Sequence, residues 1–411
     1  MRVNPDRLQR RLDTLATMTL PGHPYTRRAF TPVYLQSRAW LASEFSAAGL
    51  ETDLDAAANL IGRHSGREPA LPVIALGSHT DTVSGGGRYD GMAGVIAALE
   101  VADVLQEAAH DLRHPLWVID FLSEEASDYG ASCVGSRALA GTLGPSLLDG
   151  RSPEGEPLRD AITRMGGKPD LLTGPLAAKG DLAAYLELHI EQGPVLEQAH
   201  PSLGIVTGIT GIRRLRLHLE GQADHSGTTP MALRHDALVA AAEVVVLVHR
   251  RALADAQADP LVATVGHLLV QPNTPNVVPG AVDLVVEARS LSPATLDRFF
   301  DEVLGKAHTV AAEYGVTLSA EPISDAPPVS CSADLQRSLR DAATARGYAS
   351  LDLPSGAGHD AMQVARLCPV GMLFIPCRGG RSHAPEEEID HLDLVRGTEV
   401  LLDTVLQLDR T

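Results

Sequence analysis

Histidines and carboxylates of the kind that bind metal ions recur in four short stretches of this sequence. The first, GSHTDTVSGGGRYDGMAG over Gly77–Gly94, follows an apolar run and offers His79, Asp81 and Asp90 among glycines that let the backbone turn tightly. In extended chain His79 and Asp81 share a face, so the carboxylate can orient the imidazole towards a metal while Asp90 closes back on the same point. A phosphate-binding glycine loop is the competing reading, but the lysine and the GxGxxG spacing are missing. The second stretch, FLSEEASDYG, sets Glu124 and Glu125 where a strand should end. Adjacent side chains there point in different directions, so one can bind metal while the other faces a bound water. An exposed acidic pair at a helix start, favoured by the helix dipole, is the plainer account. His189 in ELHIEQGPVLE and His383 in GGRSHAPEEEID supply the remaining imidazoles. A lone histidine is ordinarily a surface or satisfied core residue; this many, each near a strand end, make a coherent ligand set for two metal ions. Each ion would have a histidine, a carboxylate or second histidine of its own, and a shared aspartate.

The elements that must position these residues are legible as apolar runs and amphipathic stretches in alternation. Val73 to Leu76 and Leu116 to Leu122 read as buried strands, and Gly91 to Ala109 between them has the composition and length of a crossover helix. Such βαβ units predict an α/β fold, a mixed, mainly parallel sheet covered by helices, in which sites collect beyond the carboxyl ends of the strands. Near Gly211 the texture changes. RRLRLHLEG and Ala281 to Ser290 alternate as half-exposed strands, and Arg234 to Leu253 and Ser292 to Tyr314 read as helices. This order predicts a smaller α+β domain over 211–326 inserted into a domain built from 1–210 and 327–411, with the proline-rich Pro322 to Pro328 carrying the chain back. A further strand is expected from Gly371 to Pro376, just before His383.

Composition narrows the partners. With 34 Lys and Arg against 52 Asp and Glu, the net charge is −18, which disfavours nucleic acid and anionic membranes as partners. The longest apolar stretch, Leu238 to Val248, is half a membrane span and contains Glu243. The first residues alternate charged and apolar side chains rather than forming a signal peptide. The four cysteines are too few and irregular for a disulfide framework or zinc knuckle, so a cytoplasmic location with reduced thiols is expected.

Over nearly its whole length the chain resembles the M20-type metallohydrolases, in the amidase branch of the N-carbamoyl-L-amino acid hydrolases, β-ureidopropionase and allantoate amidohydrolase. GSHTDTVSGGGRYDG, LELHIEQGP, ADHSGTTPM, PNTPNVVPG, SGAGHDAM and RSHAPEEEID carry the resemblance, and together they are highly specific. It implies metal ligands His79, Asp90 as the bridge, Glu125, His189 and His383 for two divalent ions, with zinc, manganese, cobalt and nickel all suited to such ligands. It further implies Asp81 orienting His79, and Glu124 as the general base in attack by a metal-activated water on the C–N bond of an N-carbamoyl-L-amino acid or related ureido acid. The insert would act as lid and homodimer interface. It would contact the small carboxylate substrate through His225, Asn276 and Arg289, with Gln192, Gly358 and His359 lining the amide side. Arg289 suits a carboxylate by two parallel charge-assisted hydrogen bonds.

Some positions depart from the family pattern. After the paired glutamates, Gly, any residue, Arg, Phe is usual, whereas this chain has Ala126, Ser127, Asp128 and Tyr129; Ile212 replaces a common glutamine, and Glu287 a common aspartate. A basic residue replaced by Asp128 changes the local charge by two units, and a pocket there would select a different side chain or acyl group. The alternatives that stay open are allantoate hydrolysis, N-acyl or N-formyl amino acid cleavage and dipeptide cleavage. A phosphoesterase lacks its second basic clamp, and a non-catalytic binding protein would have lost part of the ligand set, which is intact.

Overall fold

Four consecutive apolar strands give the computed structural model its centre; it describes residues 1–256 and 260–410. Leu116–Phe121, Val73–His79, Leu182–Ile190 and Val370–Ile375 lie side by side in that order and pair in parallel. Their near-continuous burial reflects cover on both faces. Antiparallel strands extend the sheet on both sides, Leu60–His64 and Glu51–Leu54 beyond Leu116–Phe121, and Leu203–Ile209 beyond Val370–Ile375. The mixed, mainly parallel α/β architecture is the one the sequence pattern predicts. The crossover helix runs Met92–Glu107, its core-facing Ala, Leu and Val buried almost throughout. It packs against helices Pro5–Thr17 and His391–Leu408.

The first helix is tied to the site by one buried side chain. Arg27 donates from Nη1 to the carbonyls of Leu15 (2.7 Å) and Met18 (2.9 Å), and from Nε to that of Thr80 (2.8 Å). Its main-chain N–H meets the Thr82 hydroxyl at 2.8 Å, so the turn carrying Asp81 hangs on the end of the first helix.

The chain divides into two units, Met1–Thr207 with Cys331–Thr411, and Gly208–Ser330. The second is a four-stranded antiparallel sheet, ordered Thr317–Ala326, Gly211–Glu220, Ala281–Ser290, Leu261–Gln271. Alternate residues Leu215, Leu217 and Leu219, with Val282, Leu284 and Val286, are buried in one core with residues of helices Ala237–Asp255 and Pro293–Glu313. The first of these begins three residues later than its periodicity predicts, because Asp236 caps it by accepting from Leu238 and Val239 N–H. The return segment differs more. Pro322 lies inside the strand Thr317–Ala326 rather than in a connector. That strand is an edge, where a missing N–H costs little, and the pairing shifts register between Pro322 and Ser324. The opposite edge, Leu261–Gln271, carries exposed Val262, Leu268 and Leu269. Among the described residues no helix is long and apolar enough to cross a membrane.

Candidate metal centre and active site

The carboxyl ends of the four parallel strands deliver the predicted ligands to one place in the first unit. His79 is the last residue of its strand, His189 the next to last of its own, Glu124 and Glu125 follow Phe121, and His383 follows Ile375 in a loop. Asp90 stands at the centre. Its Oδ1 is 3.1 Å from His189 Nε2 and 3.8 Å from His79 Nε2, while Oδ2 is 3.0 Å from His383 Nε2, which is itself 3.1 Å from Glu125 Oε1. Two triads result, His79/Asp90/His189 and Asp90/Glu125/His383, each with ligand atoms within 4.8 Å of one another. Imidazole nitrogens and carboxylate oxygens in such groups are a donor set that fits divalent ions. A third group, Glu187/His189/His359, is as close. Its atoms already have partners: Glu187 accepts from the Ser78 and Tyr185 hydroxyls and the Ala361 N–H, and His359 Nε2 lies 2.8 Å from Ser355 Oγ. That group reads as the floor beneath the site.

Asp81 does more than the sequence reading asks of it. Its carboxylate accepts the N–H groups of Glu124 and Glu125, both at 3.1 Å, and so shapes the turn that presents them. His79 Nδ1 meets the Asp81 carbonyl at 3.1 Å and its carboxylate at 3.5 Å. Glu124 stays outside both triads, with Oε2 3.6 Å from His79 Nε2, and Oε1 accepts the Cys133 thiol at 3.4 Å. Gln192 Nε2 donates to Asp90 Oδ2 at 3.0 Å. His359, in the SGAGHDAM motif with Gly358, is buried with its ring 4.5 Å from that of His189.

Burial pushes the Glu124 carboxyl well above the usual range; His79 opposes the shift, and Glu125 and Asp360 add to it. Burial alone would lower His79, but Asp81, Glu124 and Asp90 outweigh it and hold its pKa well above that of free imidazole. Hydrogen bonds to Asp90 and Glu125 raise His383 to about 10. Metals bind neutral imidazole, so ions compete with protons here. At pH 8 the metal-free His383 is protonated and loading must expel that proton, so affinity is expected to rise with pH up to about 10. Titration calorimetry at pH 8 in two buffers of different ionisation enthalpy should report release of about one proton or more per chain. An observed enthalpy independent of buffer would contradict this.

Beside Glu125 and Asp81 lies a cavity of about 250 Å³. Asp128 lines it, paired with Arg28 at 2.8 Å, and Phe30 and Tyr129 meet edge to face. The departure at Asp128 therefore faces the surroundings of Glu125. In the second unit His225 is paired in register with Val277, and its neighbour Ser226 donates its N–H to the Asn276 carbonyl, bringing the ADHSGTTPM and PNTPNVVPG motifs together. His225 Nδ1 accepts the Gly227 N–H at 3.0 Å. Arg289 donates to Glu287, which also holds Arg214.

Residues that sequence reasoning passed over complete the site. Glu187 is a buried carboxylate two residues before His189 in a mostly apolar strand, a signal that was available. Asp360, whose Oδ1 is 2.5 Å from the Ser136 hydroxyl, stands beside His359 in the motif. Glu387, the buried member of three consecutive glutamates, accepts the N–H groups of Tyr89 (2.8 Å) and Asp90 (3.0 Å) and the Ser382 hydroxyl (2.9 Å).

Known proteins resemble this chain over nearly its whole length. An N-carbamoyl-L-amino-acid amidohydrolase from Paenarthrobacter aurescens is 42% identical over 406 residues, covering 98% of each chain. Allantoate amidohydrolase from Bacillus subtilis is 33% identical over 387 residues, covering 93% of this chain and 92% of that one. The crystal structure of an amidase of the hydantoinase/carbamoylase family from Burkholderia multivorans superimposes with a TM-score of 0.92 at 33% identity, covering 100% of this chain and 99% of that one. The model of peptidase family M20/M25/M40 matches residues 75–407, and the chain belongs to that family, in its hydantoinase/carbamoylase branch.

Proposed function

We propose that the protein is a metal-dependent amidohydrolase that cleaves the C–N bond of N-carbamoyl-L-amino acids or related ureido acids, releasing the amino acid, ammonia and carbon dioxide. The observation that carries this reading is Asp90, whose two oxygens face two different triads while Glu124 stands beside them unligated. In this reading His79, Asp90 and His189 hold one divalent ion, and Asp90, Glu125 and His383 a second, each being zinc, manganese, cobalt or nickel. When bound, such ions polarise the scissile carbonyl and acidify water. Glu124, its basicity raised by burial, takes the proton of the attacking water and hands it to the leaving nitrogen. Asp81 holds His79 and the Glu124 turn in place, and Gln192, Gly358 and His359 line the amide side.

The second unit supplies the remaining contacts in this proposal. Because His225 Nδ1 accepts a hydrogen bond, its neutral form carries the proton on Nε2 and can donate to a developing oxyanion. Asn276 joins it. Arg289, which donates to Glu287, has a guanidinium fork that suits the substrate carboxylate by two parallel charge-assisted hydrogen bonds. Arg289→Ala should raise KM for carboxylate substrates by about tenfold or more, with kcat less affected. Equal losses on amide-blocked substrates, measured by steady-state kinetics, would contradict the role. The exposed apolar edge Leu261–Gln271 supports a homodimer formed through this unit. The four cysteines are buried free thiols, which agrees with the cytoplasm.

The test is ammonia release by manganese- and zinc-loaded protein across N-carbamoyl-L-amino acids, allantoate and ureidoglycolate, with amine release from N-acetyl and N-formyl amino acids and dipeptides followed alongside. Ammonia from a ureido compound supports the reading; amine release alone would mean ordinary amide cleavage. One observation favours allantoate as a second reading. The cavity beside Glu125 is lined by Arg28, Asp128, Glu156 and Arg164, polar surroundings that suit a second ureido arm.

A further inference from the structure

The two proposed ion sites are anchored unequally. His79 and His189 belong to central strands whose register is fixed by pairing on both sides. His383 instead sits in the loop between Ile375 and the helix His391–Leu408, at a positive φ of 54°, with 49% of its side chain exposed. Asp90 likewise lies in a turn, between the strand ending at His79 and the helix beginning at Met92. Something must hold these two loops at one distance from each other, and Glu387 is placed to do so.

Its carboxylate grips both. Oε1 accepts the main-chain N–H groups of Tyr89 and Asp90, and Oε2 accepts the hydroxyl of Ser382, the residue before His383. Glu387 is 2% exposed, while Glu386 and Glu388 on either side face solvent. The approach is close enough to require a glycine opposite: a Cβ on Gly87 would lie 2.0 Å from the Glu387 carboxylate. Three donors converging on one buried carboxylate make a rigid joint, because breaking any of them leaves a buried polar group unpaired.

We propose that Glu387 is the positioning residue for the Asp90/Glu125/His383 site, joining the Asp90 turn to the His383 loop so that the second ion finds its ligands preassembled. This rests on the dinuclear reading above. It predicts an unequal effect: loss of Glu387 loosens the loop-borne site and leaves the strand-borne site, His79/Asp90/His189, comparatively intact.

Metal titration of the chelator-stripped full-length protein, followed by calorimetry and by the visible absorption of cobalt, reads the two sites without recourse to activity. Wild type is expected to take two ions per chain. Glu387→Ala should weaken the second ion by about 10- to 100-fold while changing the first much less. Ser382→Ala, which removes the hydroxyl held by Glu387 at 2.9 Å and lying 3.3 Å from Asp90 Oδ2, leaves the Glu387 bonds to the Tyr89 and Asp90 N–H groups and should lower the same ion by a smaller factor. Glu387→Gln keeps an acceptor for the Tyr89 and Asp90 N–H groups and should recover part of the loss; it also serves if the alanine variant does not fold. Glu386→Gln, on the exposed neighbour, should match wild type. A wild type binding two ions with variants that match it, or variants that weaken both ions equally, would overturn the role given to Glu387. A wild type that takes only one ion overturns the dinuclear reading, and this proposal with it.

Discussion

Glu124→Gln is expected to cut turnover by about two to four powers of ten while leaving bound metal near the wild-type level. The two consequences separate because Glu124 belongs to neither triad. Its main-chain N–H would still bond to Asp81, and the amide oxygen of glutamine can still accept from the Cys133 thiol, so the turn should keep its shape. What disappears is the capacity to take a proton from water and return it to the leaving nitrogen. Elemental analysis of the purified variant alongside kcat checks both halves. Turnover retained at full metal content would remove Glu124 from the base role, and metal lost with turnover would instead make it a ligand.

Gly91→Ala should abolish metal binding at the strand-borne triad and turnover with it. Gly91 caps the crossover helix at φ 71° and ψ −46°. A Cβ there would lie 2.4 Å from Nε2 and Cε1 of His79. His79 is 1% exposed and cannot swing away without leaving its place beside Asp90. The backbone alone costs about 1–2 kcal/mol for a side chain in the left-handed region. Gly85→Ala separates the two effects, since Gly85 has a similar φ of 62° and nothing within 4 Å of its Cβ. It should lose stability in thermal melts yet keep its metal. Equal metal loss in both variants would show that backbone strain, rather than the clash, is responsible.

The candidate ligands, which the fold does bring together, were legible because chemistry and strand ends coincide locally. In GSHTD and FLSEE the acid or imidazole directly follows an apolar run, and an open parallel sheet exposes such positions at one edge. The crossover helix was legible for a similar reason: an apolar run that long between two strands has few other places to go. What escaped depends on partners far away in sequence. Nothing in three successive glutamates distinguishes Glu387 until Tyr89 and Asp90 are brought against it. The pairing of Asp128 with Arg28 is equally invisible, and so the charge change at 128 could be noted without knowing what met it. Pro322 misled because a proline argues against a strand only where its N–H would have to reach a neighbouring strand, and an edge strand has a neighbour on one side only.

That misplaced proline bears on assembly. The sheet of the second unit has one edge interrupted by Pro322, and one edge of eleven residues with leucines and a valine uncovered. A protein with two receptive edges can add copies end on end into a fibre. With one edge blunted, a homodimer of the kind proposed above would pair along the other edge, and that two-fold arrangement would be closed to further growth. Pro322 would then limit how many copies associate, a role separate from the fold of its own strand.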